Sequence, residues 1–387
     1  MAGETKVTVY YGPLSWFEEQ LGKEPRTYLL DAVNERDEAR RRIRHTVDGQ
    51  EKLEEEEQTP RPKRLIAMSS DYASVSEHAI TNFVGLVREI NPKHLFLHNP
   101  PELIQTQLDR VFETQVESFT YPVVTRDTLI RFRDGFADQL VGQRSVRERM
   151  LAALYPLTTE RRTKPVVLMF YGPSGVGKTE TAQFVNGLLG GQLLRKQFSM
   201  FHSDKFASYV FGGTHSEGSF ARDLLDRSSG VILIDEFDKA NSVFHSAFYE
   251  VFDEGFFEDK NYRVNLGPAL IICTSNYASE DEIRNALGDA LYSRFDALIP
   301  FEQLSTDEIK QVIDRLVDGR IEALSPEELK LLDPDAIKAL LHGHASATSN
   351  VRKLGKLVDE VISLMLVRAV MSDVSSAPES PTAEETA

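Results

Sequence analysis

The sequence predicts an α/β protein made of two successive parallel-sheet blocks and a closing helical block. Three observations carry that expectation. Short β-rich runs alternate with amphipathic stretches across residues 1–125, and again from 126 to about 301. In the second block a buried apolar run, VVLMFY (166–171), passes at once through a glycine-rich loop into a helical pattern. From 302 to 373 the strand signal stops and the pattern is helical, before a small, acidic, proline-bearing tail over 374–387 that composition predicts to be disordered.

In the first block, KVTVYYG (6–12), RTYLLDAV (26–33), RLIAMSS (64–70), HLFLHNP (94–100) and ESFTYPVV (117–124) read as strands. HAITNFVGLVREI (78–90) reads as a helix with Ile80, Phe83, Val84, Val87 and Ile90 on one face. The charged stretch 47–62, with its run Glu54 to Glu57, reads as a solvated loop. MSSDY (68–72) follows a strand, where ligands bind in open α/β sheets, but a loop with a helix cap is the simpler reading. His94 and His98 share a strand face without a third candidate ligand and read as packing or surface histidines, as do those of HGH (342–344). No catalytic signature is found in residues 1–125.

Composition narrows the classes. Of 387 residues 41% are hydrophobic, and no apolar run approaches the roughly 18 residues a membrane span needs. The N-terminus lacks a basic stretch followed by an apolar one, so a secretory signal is not expected. The single cysteine, Cys273, excludes an internal disulfide and fits a reducing, cytoplasmic setting. A net charge of −16 repels a phosphate backbone and argues against general nucleic-acid binding, while leaving a local basic patch open.

The chemistry lies in the second block. Gly172, Pro173, Ser174, Gly175, Val176, Gly177, Lys178 and Thr179 follow the strand and precede the helical TETAQFVNGLL. Glycines let the backbone wrap closely, so successive N–H groups point at phosphates, and the helix N-terminus adds favourable dipole charge. Lys178 reaches the outer phosphates of ATP and Thr179 offers a hydroxyl to Mg2+. A glycine-rich turn of matching sequence is the competing reading. VILIDEFDKAN (231–241) supplies a buried strand ending in two carboxylates. Asp235 can hold the metal, directly or through water, and Glu236 can polarise the attacking water. The plainer role for such a pair is to cap the next helix. In ALIICTSN (269–276), Asn276 can orient the water and Cys273 reads as core. Arg294, in LYSRFDALIPF (291–301), is either a surface charge or a cation offered to a neighbouring subunit's γ-phosphate.

From LVGQRSVRERM (140–150) to about residue 373 the chain resembles the AAA+ ATPases, and within them the Clp-type protein unfoldases and disaggregases. GPSGVGKTE, EGSFARDLLDRSSGVILIDEFDKAN, VFDEGFFED and TSN are close to the second ATPase module of the Clp disaggregases. The resemblance implies an AAA+ P-loop core with a helical lid, ATP and Mg2+ as ligands, and a homo-hexameric ring acting on a protein partner. It implies that Val141 lies near the adenine, that 172–179 hold the phosphates, and that Asp235 and Glu236 form Walker B. Asn276 then matches sensor 1 and Arg294 the arginine finger. SNVRKLGKL (349–357) resembles the sensor 2 helix, with Arg352 as the lid arginine, although Asn350-Val351 stands where the family has glycine-alanine.

Two departures accompany the resemblance. Where substrate-threading members carry a glycine-aromatic-valine-glycine loop, this chain reads VFGGTHSEGSF (210–220), and the aromatic-valine pair falls on Gly212 and Gly213. Residues 1–125 resemble none of the family's N-terminal domains, and no Ile-Gly-Phe or Leu-Gly-Phe tripeptide for docking on a proteolytic barrel is seen. An oligomeric remodelling ATPase is the leading expectation. An ATP-dependent conformational switch and a nucleic-acid-associated loader are the alternatives.

Overall fold

A computed structural model of the chain describes residues 5–47, 61–200, 204–346 and 350–375. Residues 48–60, most of the expected charged loop, and 376–387, most of the expected tail, lie outside the described residues. The first sheet contains β1 (Lys6–Tyr11), β2 (Thr27–Tyr28), β3 (Arg64–Ala67), β4 (His94–His98) and β5 (Thr114–Ser118), all parallel in the order β2-β3-β4-β1-β5. Parallel strands bury both faces. Val7, Val9, Leu95 and Leu97 meet Phe83, Val87, Ile104 and Leu108 on one side, while Ile66 and Phe96 meet Phe17 and Leu21 on the other.

Three first-block expectations are corrected. Only Thr27–Tyr28 of the expected strand 26–33 is extended, and a helix runs over Leu29–Val47. Leu29 and Ala32 are buried and Val33 half-buried at helical spacing, so a helix covers more apolar surface there than an edge strand would. The helix expected over 78–90 is two, Glu77–Thr81 and Phe83–Ile90, broken at Asn82 (φ −123°, ψ 48°). The strand expected over 117–124 ends at Ser118, because the next residues are drawn to the second block. There the Tyr121 hydroxyl donates to Leu225 O (3.2 Å), the Arg227 guanidinium lies 3.7 Å from the Tyr121 ring centre, and Val124 enters the second block's core.

The second sheet contains β6 (Val166–Tyr171), β7 (Leu194–Gln197) and β8 (Val231–Asp235), then β11 (Leu270–Thr274) and β12 (Ala297–Pro300) after the antiparallel hairpin of β9 (Phe256–Glu258) and β10 (Arg263–Asn265). Its order is β12-β6-β11-β8-β7, all parallel. The central strands β6, β8 and β11 are buried along their whole length, as their uninterrupted apolar sequences require. One face carries a phenylalanine-rich core that includes Phe198, Phe220, Phe237, Phe248 and Phe257, and each such side chain contributes about 1.5–3 kcal/mol by burial. The other face packs on Phe132, Phe136, Met150 and Val185.

The helical block consists chiefly of Thr306–Glu322, Pro334–His342 and Val351–Ser375, joined by Ile309, Ile313, Val317, Ile337, Leu341, Leu354 and Val358. A Ser305–Glu308 capping box starts the first of these helices. His342 pairs with Asp314 (2.8 Å).

The first sheet aims the carboxyl ends of its strands at the second block. Glu102 N donates to Asn261 O (2.9 Å), Leu14 N to Asp226 Oδ1 (2.8 Å), and Arg222 Nη2 to Ser69 O (3.3 Å). MSSDY is therefore a turn that leads into the short helix Asp71–Ser74: Asp71 Oδ2 accepts from Met68 N (2.9 Å), and Arg222 donates to Ser69 O. His98 is fully buried, stacked on Phe17 with ring centres 4.9 Å apart, and His94 stacks on Phe96.

Candidate nucleotide-binding site

The carboxyl ends of β6, β8, β11 and β7 open into one cleft of about 350 Å3, which the helix Val351–Ser375 borders through Arg352. Glycine is required in the loop by geometry. Gly172 has φ 121°, and a Cβ there would strike Phe301 O. Gly177 has φ 106°, and a Cβ would lie 2.5 Å from Leu140 Cδ2. Lys178 begins the helix Lys178–Leu189 and is 8% exposed. Its ammonium donates to Gly172 O (2.6 Å) and Pro173 O (2.8 Å), and lies 3.4 Å from Asn276 Oδ1. Burial brings its pKa down to about 8 against the opposing pull of Asp238 and Asp235, with Arg352 adding to the depression. A bound polyanion would relieve that penalty.

Asp235 is buried at the end of β8. Its Oδ2 accepts from Arg195 Nε (3.1 Å) and Nη2, and its Oδ1 accepts from the Thr274 hydroxyl. Glu236 adopts the left-handed backbone (φ 56°), its N–H donating to Thr274 Oγ1 (3.0 Å). That turn brings its carboxylate to Gln197, whose amide donates to Glu236 Oε2 (3.1 Å). Asp235 and Glu236 therefore face the cleft and do not cap the short helical turn that follows, which has no side-chain cap.

Of the residues singled out from sequence, Ser174, Gly175, Gly177, Lys178, Thr179, Asp235, Glu236, Asn276 and Arg352 line this cleft together. Val141 and Val176 line an adjoining apolar slot of about 190 Å3 with Leu140, Leu304, Leu316 and Val351. Gly172 and Pro173 hold Lys178 from behind. Arg294 lies elsewhere: its Nε donates to Asp253 Oδ2 (2.6 Å) and its guanidinium sits 4.7 Å from the Tyr249 ring centre. Asn350, which stands where the resemblance expects glycine, forms a latch. Its Nδ2 donates to Ser174 O (3.1 Å) while its Oδ1 caps the helix Val351–Ser375 through Arg352 N (3.0 Å), and Val351 N donates to Gly175 O (3.0 Å).

Sequence reading missed Arg195, Gln197 and Thr274. The signal was available: LRKQ puts two polar side chains of one strand face at the carboxyl end of the strand next to β8. Thr274 stands two residues before Asn276 in the same buried run.

Residues 163–327 match the family model described as AAA domain (Cdc48 subfamily). Among curated proteins, the chain is 25% identical over 350 residues to the chaperone protein ClpB of Chlamydia trachomatis, covering 78% of this chain and 40% of that protein. Residues 163–327 of this chain are an AAA domain. With the chaperone protein ClpB of Tropheryma whipplei identity is 30% across 196 residues, covering 42% of this chain and 28% of that one. The ATP-dependent Clp protease ATP-binding subunit ClpC of Staphylococcus saprophyticus is 25% identical over 288 residues, 62% of this chain and 35% of that one. The closed-state electron-microscopy reconstruction of Hsp104 with ATPyS and FITC casein superposes with a TM-score of 0.56 at 15% identity. It covers 96% of this chain and 89% of that one, a likeness of fold alone. The chain spans about two fifths of the length of the Chlamydia ClpB it matches. Among the described residues, no helix is long and apolar enough to cross a membrane.

Proposed function

We propose that this chain binds and hydrolyses ATP with Mg2+ and, assembled as a homo-hexameric ring in the cytoplasm, remodels a protein partner. In this reading residues 1–125 recognise the partner, 126–301 form the large ATPase subdomain and 302–373 the lid. The separate apolar cores described above support that division. The single observation that carries the proposal is the convergence of Lys178, Thr179, Asp235, Glu236, Asn276 and Arg352 on one cleft.

The donor set suits the nucleotide. Loop N–H groups and Lys178 hold the outer phosphates, Arg352 adds a second cation from the lid, and the slot at Val141 takes the base. Thr179 and Asp235 would hold Mg2+, which when bound neutralises phosphate oxygens. Glu236 accepts a proton from the attacking water once its carboxylate turns from Gln197, and Asn276 orients that water. Arg294 serves the γ-phosphate of an adjacent subunit in the ring.

The test pairs binding with turnover. Lys178→Ala is expected to lose most affinity for a fluorescent ATP analogue while keeping its far-ultraviolet circular dichroism. Glu236→Gln is expected to bind ATP and release phosphate at least about 100-fold more slowly. Full affinity in the first variant, or full turnover in the second, overturns the assignment.

A second reading, an ATP-driven switch without threading, is favoured by the stretch at 210–220. Phe211 O accepts from Lys260 N (3.0 Å) and Gly213 O from Asn261 Nδ2 (3.1 Å), so this segment is tied to the turn between β9 and β10. Stimulation of hydrolysis by a chemically unfolded protein separates the two, since only a threading motor is expected to respond.

A further inference from the structure

A second cleft, of about 340 Å3, lies between the first sheet and the β9–β10 hairpin, well apart in sequence from the phosphate loop. One wall holds the carboxyl end of β5, Ser118 and Phe119, with Glu102 from the helix Glu102–Asp109. The other holds Phe256, Tyr262 and Val264. Clefts at domain junctions and beyond the carboxyl ends of parallel strands are where α/β proteins bind ligands.

Two features say what fits. First, β5 is the outer strand of its sheet, paired with β1 on one side and, among the described residues, with no strand on the other. Val7 N donates to Glu113 O (3.3 Å) and Phe119 N to Tyr11 O (2.8 Å), so odd-numbered residues of β5 face β1. Thr114, Val116 and Ser118 therefore direct their backbone N–H and C=O groups outward, and this open row runs straight into the cleft. Val116 is 48% exposed on it.

Second, the cleft has polar groups to spare. Tyr262 is 2% exposed, and its buried hydroxyl has no partner. Glu102 lies exposed on the wall, and Asp109 closes the helix that it begins. Burial raises the Tyr11 phenol, and Asp109 and Glu102 raise it further, so two carboxylates act at this mouth. The cations beside Tyr262 and Tyr121, Arg222 and Arg227, are already held by backbone carbonyls. The one arginine of the wall, Arg263, lies over Phe256 (5.0 Å) and 3.8 Å from Glu258, so its charge already has a partner.

We infer that β5 and this cleft form a docking site for an extended, basic peptide segment, which adds to β5 as a further strand and sets a lysine or arginine side chain against Glu102. Strand addition satisfies the outward backbone groups of β5. The cleft supplies the side-chain selectivity, and the Tyr262 hydroxyl supplies a donor for a peptide carbonyl. The inference rests on the reading that the chain acts on a protein partner and locates where that partner is first held. Docking itself requires no nucleotide.

The experiment uses the full chain without ATP, at about 150 mM salt to screen diffuse attraction. The probe is a short fluorescein-labelled peptide of alternating lysine and threonine with one central tyrosine. Its counterpart has glutamate at every lysine. Anisotropy is expected to show the lysine peptide binding at least about tenfold more tightly. Glu102→Lys and Val116→Pro, which removes an outward donor, should each weaken it about tenfold or more. Glu327→Gln, on the distant lid, should leave affinity unchanged. Because the proline variant can misfold, amide hydrogen exchange on the unsubstituted chain is measured as well, and the peptide should slow exchange over 114–118. Three results overturn the site: no preference for lysine, an equal loss in Glu327→Gln, or unchanged exchange at 114–118. ATP binding by the same preparation is scored separately, so loss of the docking site and loss of the ATPase reading give different outcomes.

Discussion

His98 shows how one residue's surroundings set a measurable property. It is fully buried between Phe17 and the sheet, with Nε2 2.8 Å from Gly12 O. Burial lowers its pKa, while the Gly12 carbonyl, Asp226 and Glu18 pull the other way without prevailing. A base whose folded pKa is depressed contributes stability that is present above its unfolded value and lost as pH falls towards the folded one. Melting temperature should therefore drop as pH falls below about 6.5, with a slope of at most about 1.4 kcal/mol per pH unit from this group. His98→Gln keeps a donor for Gly12 O without the charge, and should flatten that slope in circular-dichroism melts. An unchanged slope would place the acid sensitivity in His94, His215 or His245, whose pKa values burial also lowers. The sequence left His98 as a packing or surface histidine, because no third candidate metal ligand lay nearby. Its depth, and so its titration, depended on Phe17, which is 81 positions away.

At the scale of elements, the segment after β5 has the largest consequence. Residues 119–124 were expected to continue a strand, and they instead lie along the second block. Tyr121 covers Arg227, which is 4% exposed and donates to Leu224 O and Leu266 O (3.2 Å). Arg227 precedes Ser229, whose hydroxyl accepts from Val231 N (2.9 Å) at the start of β8, the strand that ends at Asp235. A truncation beginning at residue 126 strips that cover and leaves a buried cation facing water on one side. It should unfold at least about 2–3 kcal/mol more easily than a truncation beginning at residue 119, in urea titrations of the two fragments. Full-length Tyr121→Ala should show a similar loss. Equal stability of the fragments would make the Tyr121–Arg227 contact incidental. The strand expected over 26–33 failed for a related reason. Leu29 and Ala32 fit a strand or a helix by residue type, and only the surface available to them in the packed sheet chose the helix.

For the whole molecule, the decisive residue is Arg294. It stays outside its own chain's cleft, held by Asp253, so in the proposed ring it works only across a subunit boundary. Arg294→Ala should bind ATP nearly normally and hydrolyse it roughly 10³-fold more slowly. Mixed in equal amounts with Glu236→Gln, it should recover activity. A boundary works when an Arg294→Ala subunit supplies the intact Glu236 and its Glu236→Gln neighbour supplies the intact Arg294. Random assembly makes about one boundary in four of that kind, so roughly a quarter of unsubstituted turnover is expected in a phosphate-release assay. No recovery in mixtures that sedimentation shows to be co-assembled would reject catalysis across subunits.

What the sequence determined by itself was local. The loop from Gly172 to Thr179, the acids closing β8 and the polar tip after β11 each sit within a few residues of a buried strand, so their chemistry and their setting are written in one short stretch. The same holds for the central strands β6, β8 and β11, whose unbroken apolar runs have no other stable place. What only the tertiary structure decided depended on residues far apart in the chain. Arg195 and Gln197 met Asp235 and Glu236 because β7 lies beside β8, and Asn350 reached Ser174 because the helical block folds back over the loop. The open edge of β5 became a wall of a cleft only when the β9–β10 hairpin closed against it. Strand order and domain docking arise from the total apolar area buried, a sum over the whole chain that no short window of sequence contains.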